Sequence, residues 1–156
     1  MQNRRDLISH SAKVAAMLAT LGLLPALTQA QAAEWNKAAF DVKKMDELMK
    51  ALGVSGAPEE SKDVTVTGPD IAENGAVVPV GAGTDKSGVK RLLILVEKNP
   101  ALMAAMFELT DMVEPNVSTR VKMGQSSDVY AVALMDDGKV LFAKKEIKVT
   151  LGGCGG

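Results

Sequence analysis

Histidine and cysteine are almost absent from this chain. One of each occurs among 156 residues, His10 near the start and Cys154 near the end. No apolar run reaches the roughly 20 residues that a transmembrane helix needs; the run from Val14 to Leu27 is diluted by Thr20, Gly22 and Pro25. Charge of one sign is also lacking, with 18 basic and 19 acidic residues and a net charge of −1, so nothing in the balance courts nucleic acid. No stable membrane association is expected either.

The opening Asn3-Arg4-Arg5-Asp6-Leu7-Ile8 is a twin-arginine pattern, followed by that apolar run and by the small-residue site Ala30-Gln31-Ala32. This order marks residues 1–32 as an export signal cleaved near Ala32. Cleavage takes Arg4, Arg5, Lys13, Asp6 and His10 with it, which leaves a net charge of −3 and no imidazole. A mature chain without histidine has no Ser-His-Asp or Cys-His nucleophile pair. It also has no His-ligated zinc or haem. The chain by itself is therefore not expected to be an enzyme, nor to hold a metal or cofactor. A single cysteine cannot form an internal disulfide, and in an exported protein it suggests intermolecular pairing or a reactive thiol.

What is present suits one globular domain, at 47% apolar and 24% charged. Residues 33–61 read as an N-terminal helix and linker. Phe40, Met45, Leu48, Met49 and Leu52 recur at helical spacing between Trp35 and Leu52, Gly53 is placed to cap the helix, and a polar Gly/Pro-containing connection follows. From Lys62 the pattern changes to short β-branched runs separated by turn signals. Seven strands are expected: Asp63–Thr67, Ala76–Gly81, Lys90–Glu97, Met103–Leu109, Asn116–Met123, Asp128–Met135 and Val140–Leu151. Val117, Thr119, Val121 and Met123 alternate with Ser118, Arg120 and Lys122, so one face of that strand is buried. Ile147, Val149 and Leu151 alternate in the same way with Lys148 and Thr150. Asp136-Asp137-Gly138-Lys139 predicts a tight hairpin between the last two strands. The fold class is mainly β, an antiparallel immunoglobulin-like sandwich over 62–151 with a short N-terminal helix and a flexible arm over 152–156.

Three other features have structural readings. Glu73-Asn74-Gly75 reads as a turn, Asn99-Pro100 as a strand end, and Arg120 as part of a solvated or interface face. The methionines at 45, 49, 103, 106, 112, 123 and 135 sit at apolar-pattern positions, which favours core or partner packing over a copper site.

The arm carries the chemistry. Cys154 is flanked by Gly152, Gly153, Gly155 and Gly156, residues with the broadest backbone freedom. At ~3.3–3.6 Å per residue the thiol reaches about 10 Å beyond Leu151, on a tether thin enough for a narrow channel. No nearby cation, histidine or helix N-terminus lowers its pKa, and a thiol near ~8.5 is only a few per cent thiolate at neutral pH. Activation has to come from a partner's active site, so Cys154 reads as an attachment point.

The terminal Gly-Gly-Cys-Gly-Gly occurs together with Pro69-Asp70-Ile71-Ala72-Glu73-Asn74-Gly75, Val78-Pro79-Val80, Asn99-Pro100 and Thr119-Arg120. With these motifs the chain resembles the SoxY family, the carrier subunit of the bacterial sulfur-oxidation complex, from about Leu48 to the C-terminus. The resemblance implies a periplasmic carrier with an immunoglobulin-like sandwich and a SoxZ-like β-sandwich partner. It implies that Cys154 holds thiosulfate as a cysteine S-thiosulfonate. It further implies partner enzymes: a c-type cytochrome, a dimanganese hydrolase and a molybdenum–haem dehydrogenase. Gly81-Ala82-Gly83-Thr84-Asp85-Lys86 departs from a more strand-like run and is expected in a loop or edge strand, as is Ala101-Leu102 after Asn99-Pro100.

Two other readings remain open on the residues alone. Gly155-Gly156 would serve a ubiquitin-like sulfur carrier that activates its terminal carboxylate, although export away from cytoplasmic ATP opposes this. Cys154 would alternatively dimerise a structural β-sandwich interaction module through a disulfide.

Overall fold

The structure, a computed structural model, describes residues 37–150. The export signal expected over 1–32 and the arm over 152–156 lie outside them. The expected N-terminal helix is present in two pieces, α1 (Lys37–Asp41) and α2 (Met45–Ala51). The break has a tertiary cause: the Val42 carbonyl accepts the Leu102 N–H at 3.3 Å instead of closing a helical turn, and Lys44 is extended before α2 begins. The C-terminal end of α2 follows the sequence. Gly53 adopts φ +70°, and its N–H bonds the Lys50 carbonyl while that of Val54 bonds the Met49 carbonyl, the pair of bonds that closes a Schellman cap.

All seven expected strands form, with ends shifted by a few residues. They are β2 (Val64–Thr67), β4 (Val78–Thr84), β5 (Val89–Val96), β6 (Met103–Glu108), β7 (Asn116–Val121), β8 (Ser127–Met135) and β9 (Val140–Val149). Two short strands were not foreseen. β1 (Pro58–Glu60), inside the expected linker, and β3 (Ile71–Ala72) pair in parallel with the two ends of β9. Segments this short have no alternation to detect, and their pairing exists only because β9 is beside them.

The strands make two sheets, one in the order β1-β9-β8-β5-β6 with β3 also on β9, the other β2-β4-β7. The chain crosses between the sheets at each step from β1 to β5 and again from β6 to β7 and β7 to β8; from β4 onward this is the connectivity of an immunoglobulin-like sandwich. Between the sheets lie Val78, Val80, Ala82 and Val121 from the smaller one, and Leu92, Ile94, Val96, Val129, Ala131, Ala133 and Ile147 from the larger. The larger sheet is buried on its other face as well. There Leu93, Leu95, Val132, Leu134 and Val140 pack with Ala39 of α1 and with Leu48 and Met49 of α2. Burial on both faces explains why β5 and β8 read as continuous apolar runs rather than alternating ones.

The β8–β9 hairpin forms as its sequence predicts. Gly138, at φ +85°, follows a turn in which its N–H donates to the Met135 carbonyl. The expectation for the run from Gly81 to Lys86 is corrected. Gly81, Ala82, Gly83 and Thr84 belong to β4, the central strand of the smaller sheet, bonded on one side to β2 and on the other to β7. Of the seven methionines, Met112 is not in the core but 96% exposed.

The root of the C-terminal arm

Cys154 and the glycines at 152, 153, 155 and 156 lie outside the described residues. The strand that leads to them does not. β8 accompanies β9 only as far as the pair Ser127–Ile147, so Lys148, Val149 and Thr150 are held by other means. On one flank runs β3, with Ile71 opposite Lys148 and Ala72 opposite Val149. Lys148 N–H donates to the Asp70 carbonyl at 3.0 Å, and Thr150 N–H to the Ala72 carbonyl at 3.1 Å. On the other flank one side chain replaces the missing strand. Ser126 Oγ accepts the Val149 N–H at 2.9 Å and donates to the Val149 carbonyl at 3.5 Å. Thr150 Oγ1 donates to the Glu73 carbonyl at 3.4 Å.

The segment from Pro69 to Gly75 thus serves the base of the arm. Asn74 forms the expected turn, its side-chain oxygen accepting the Ala76 N–H at 2.9 Å. Gly75 is required by close approach: its carbonyl accepts the Met123 N–H, and a Cβ there would stand 2.4 Å from the Met123 carbonyl oxygen and 2.8 Å from a Val149 methyl. Lys145 ties the segment down electrostatically, with Nζ 2.8 Å from the Asp70 carboxylate and 2.6 Å from the Gly68 carbonyl oxygen. The hydrogen bond from Lys145, then its positive charge, holds the Asp70 carboxyl below the usual carboxylate range.

Asn99-Pro100 follows the end of β5, as expected, and Asn99 does more than end a strand. Its Nδ2 donates to the Lys122 carbonyl at 2.7 Å and its Oδ1 accepts the Gly124 N–H at 3.3 Å, which ties the β5–β6 and β7–β8 loops together. Asn99-Pro100 and Thr119-Arg120 line one shallow groove of about 420 Å³ between β6 and β7, with Arg120 exposed at its edge. Among the described residues no group of three or more His, Cys, Asp or Glu is placed to hold a metal ion. Among them also, no helix is long and apolar enough to cross a membrane. Sequence reasoning missed Ser126, because a serine in a turn carries no signal that it will replace a strand.

The chain matches the family model described as "Sulfur oxidation protein SoxY" over residues 49–154, a segment whose last residue is Cys154. Among solved structures it is similar to the sulfur carrier protein SoxY from Chlorobium limicola f thiosulfatophilum, at 33% identity and a TM-score of 0.60 over 68% of this chain and 94% of that one. A superoxide reductase (neelaredoxin) from Ignicoccus hospitalis is 18% identical with a TM-score of 0.50, over 56% of this chain and 79% of that one; this likeness concerns the fold alone. No curated protein sequence matches. With the family model spanning most of its length and a solved SoxY one third identical to it, the chain belongs to the SoxY family of sulfur-oxidation carrier proteins.

Proposed function

We propose that this chain is an exported carrier that binds thiosulfate-derived sulfur covalently on Cys154 and presents it to separate enzymes, catalysing nothing itself. One observation carries the reading: the SoxY family match ends on the chain's only thiol, four residues beyond Thr150. Charging joins the thiol to thiosulfate through a new S–S bond, giving Cys–S–S–SO3⁻, and releases one proton and two electrons. A c-type cytochrome partner takes the electrons. Hydrolysis then breaks the bond to the sulfonate sulfur. Water supplies the fourth oxygen of sulfate, two protons leave, and a persulfide stays on Cys154 for a molybdenum–haem partner to oxidise. The hydrolase is of the dimanganese class, and a SoxZ-like β-sandwich completes the carrier as a heterodimer. The site of action is the periplasm, reached through the twin-arginine signal.

The glycines on both sides of Cys154 give the conjugate a thin tether that active-site channels of different shape can admit. Intact mass of the chain from thiosulfate-grown cells tests the reading. Sulfur, thiosulfate or persulfide adducts are expected on Cys154 and absent from Cys154→Ser, which should also lose thiosulfate-dependent growth. Wild-type growth of that variant would refute the carrier reading. Adducts on Gly156 would point to a carboxylate-activating carrier, and a reducible dimer alone to a structural module.

A further inference from the structure

A strand end without neighbours frays, and β9 outruns β8 by two residues, Lys148 and Val149, with Thr150 following before the arm. Two devices hold this overrun. β3 is only two residues long and is engaged with β9 alone, and Ser126 places a single hydroxyl where β8 would have placed a backbone. Ser126 adds nothing to the core between the sheets, since both its hydrogen bonds go to Val149; β3 gives that core only Ala72, while Ile71 is 57% exposed. The neighbouring Ser127 is different, since its hydroxyl accepts the Lys98 N–H and so secures the β5–β6 loop.

We infer that Ser126, with β3, is a positioning device that sets how close to Cys154 along the chain the last held residue lies. The inference rests on Cys154 being the attachment point. With the overrun held, four residues separate Cys154 from the last held residue, Thr150, a reach of at most about 13–14 Å. With it released, the count starts at Ile147 and is seven residues, a reach of at most about 23–25 Å. The effective concentration of a tethered group falls roughly as the −3/2 power of tether length once the gap is spanned. Release therefore dilutes the conjugate about twofold at a docked partner's active site. Ser126 touches neither the thiol nor its cargo and acts only through Val149.

The test uses the mature chain charged with S-thiosulfonate on Cys154, as wild type, Ser126→Ala, Ser126→Thr and a wild-type background with Ser-Gly-Ser inserted after Leu151. Hydrogen exchange is read at the Lys148 and Thr150 amides, whose acceptors lie on the β3 side and are untouched by the substitution. Sulfate release is then read with a periplasmic extract of thiosulfate-grown cells at limiting carrier. In Ser126→Ala both amides are expected to exchange faster, while those of β5 and β8 stay protected. Its KM should rise by up to about twofold with kcat retained, since β3 still holds the other flank, that of the insertion should rise about twofold, and Ser126→Thr should restore both readings. Unchanged protection at Lys148 and Thr150 in Ser126→Ala overturns the inference, and so does faster exchange with an unchanged KM. Failure of the wild type to accept sulfur on Cys154 would instead remove the functional reading, and this inference with it. Normal charging combined with either negative result removes the inference alone.

Discussion

Asp70 shows how a single exposed side chain supports the base of the arm. Its carboxyl titrates below the usual range because Lys145 donates a hydrogen bond to it and adds positive charge. A folded-state pKa below the unfolded value of ~3.9 means that the stabilisation is complete above that value and is lost as pH falls through the lowered one. Asp63, beside Lys86, and Asp137, beside Lys139, are shifted in the same direction. Urea midpoints measured from neutral to strongly acidic pH should therefore show Asp70→Asn less stable than wild type at pH 6. The gap should close below about pH 4, and it should narrow in high salt, since the pair is exposed and screened. The motif around Asp70 was legible as a family signature and Asn74-Gly75 as a turn. What the turn presses against was not, because Met123 and Val149 are far from it in sequence.

β4 is the element on which local preference and final position disagree most. Glycine weakens strands and carries no side chain to pack, so Gly81-Ala82-Gly83 argues against a central strand. In the fold these glycines face outward between β2 and β7, and the inward residues Val78, Val80 and Ala82 supply the burial. At Gly81 the absence of a side chain is a packing requirement. It sits opposite Thr67, and a Cβ there would lie 2.4 Å from Thr67 Oγ1 and 3.1 Å from the Val117 carbonyl oxygen. Gly81→Ala is expected to cost about 1–3 kcal/mol through overpacking. The cost should be smaller in a Thr67→Ala background, and a double-mutant cycle in urea measures the difference. Additive behaviour of the two substitutions would show that Thr67 is not the obstacle. The two-piece helix has a similar origin, since Val42 gives its carbonyl to Leu102, a residue 60 positions away.

Across the molecule the larger sheet is a shared wall, with the sandwich core on one face and α1 and α2 on the other. The helices cover β5 and β8, whereas the arm leaves from the end of β9. Leu48 of α2 is fully buried against the larger sheet, and Leu48→Ala should cost about 2–5 kcal/mol, read as a lower urea midpoint. Charging of Cys154 under conditions where the variant remains folded should match wild type. A charging defect proportional to the lost stability would mean that the helical layer and the arm are coupled.

Short-range physics alone settled much of this protein. Strand alternation, the Asp-Gly hairpin, the Gly53 cap and the lone thiol among glycines depend on residues within a few positions of one another, and the sequence expresses all of them. The tertiary structure decided the rest. That β1 and β3 would close the edge of β9, that a glycine-bearing strand would be central, and that Ser126 would hold Val149 all depend on where distant segments meet. A two-residue parallel pairing, or one hydroxyl standing in for a strand, has no periodicity and no local preference. Its energy appears only after the sheets have packed and brought 70–72 and 126 to 148–150.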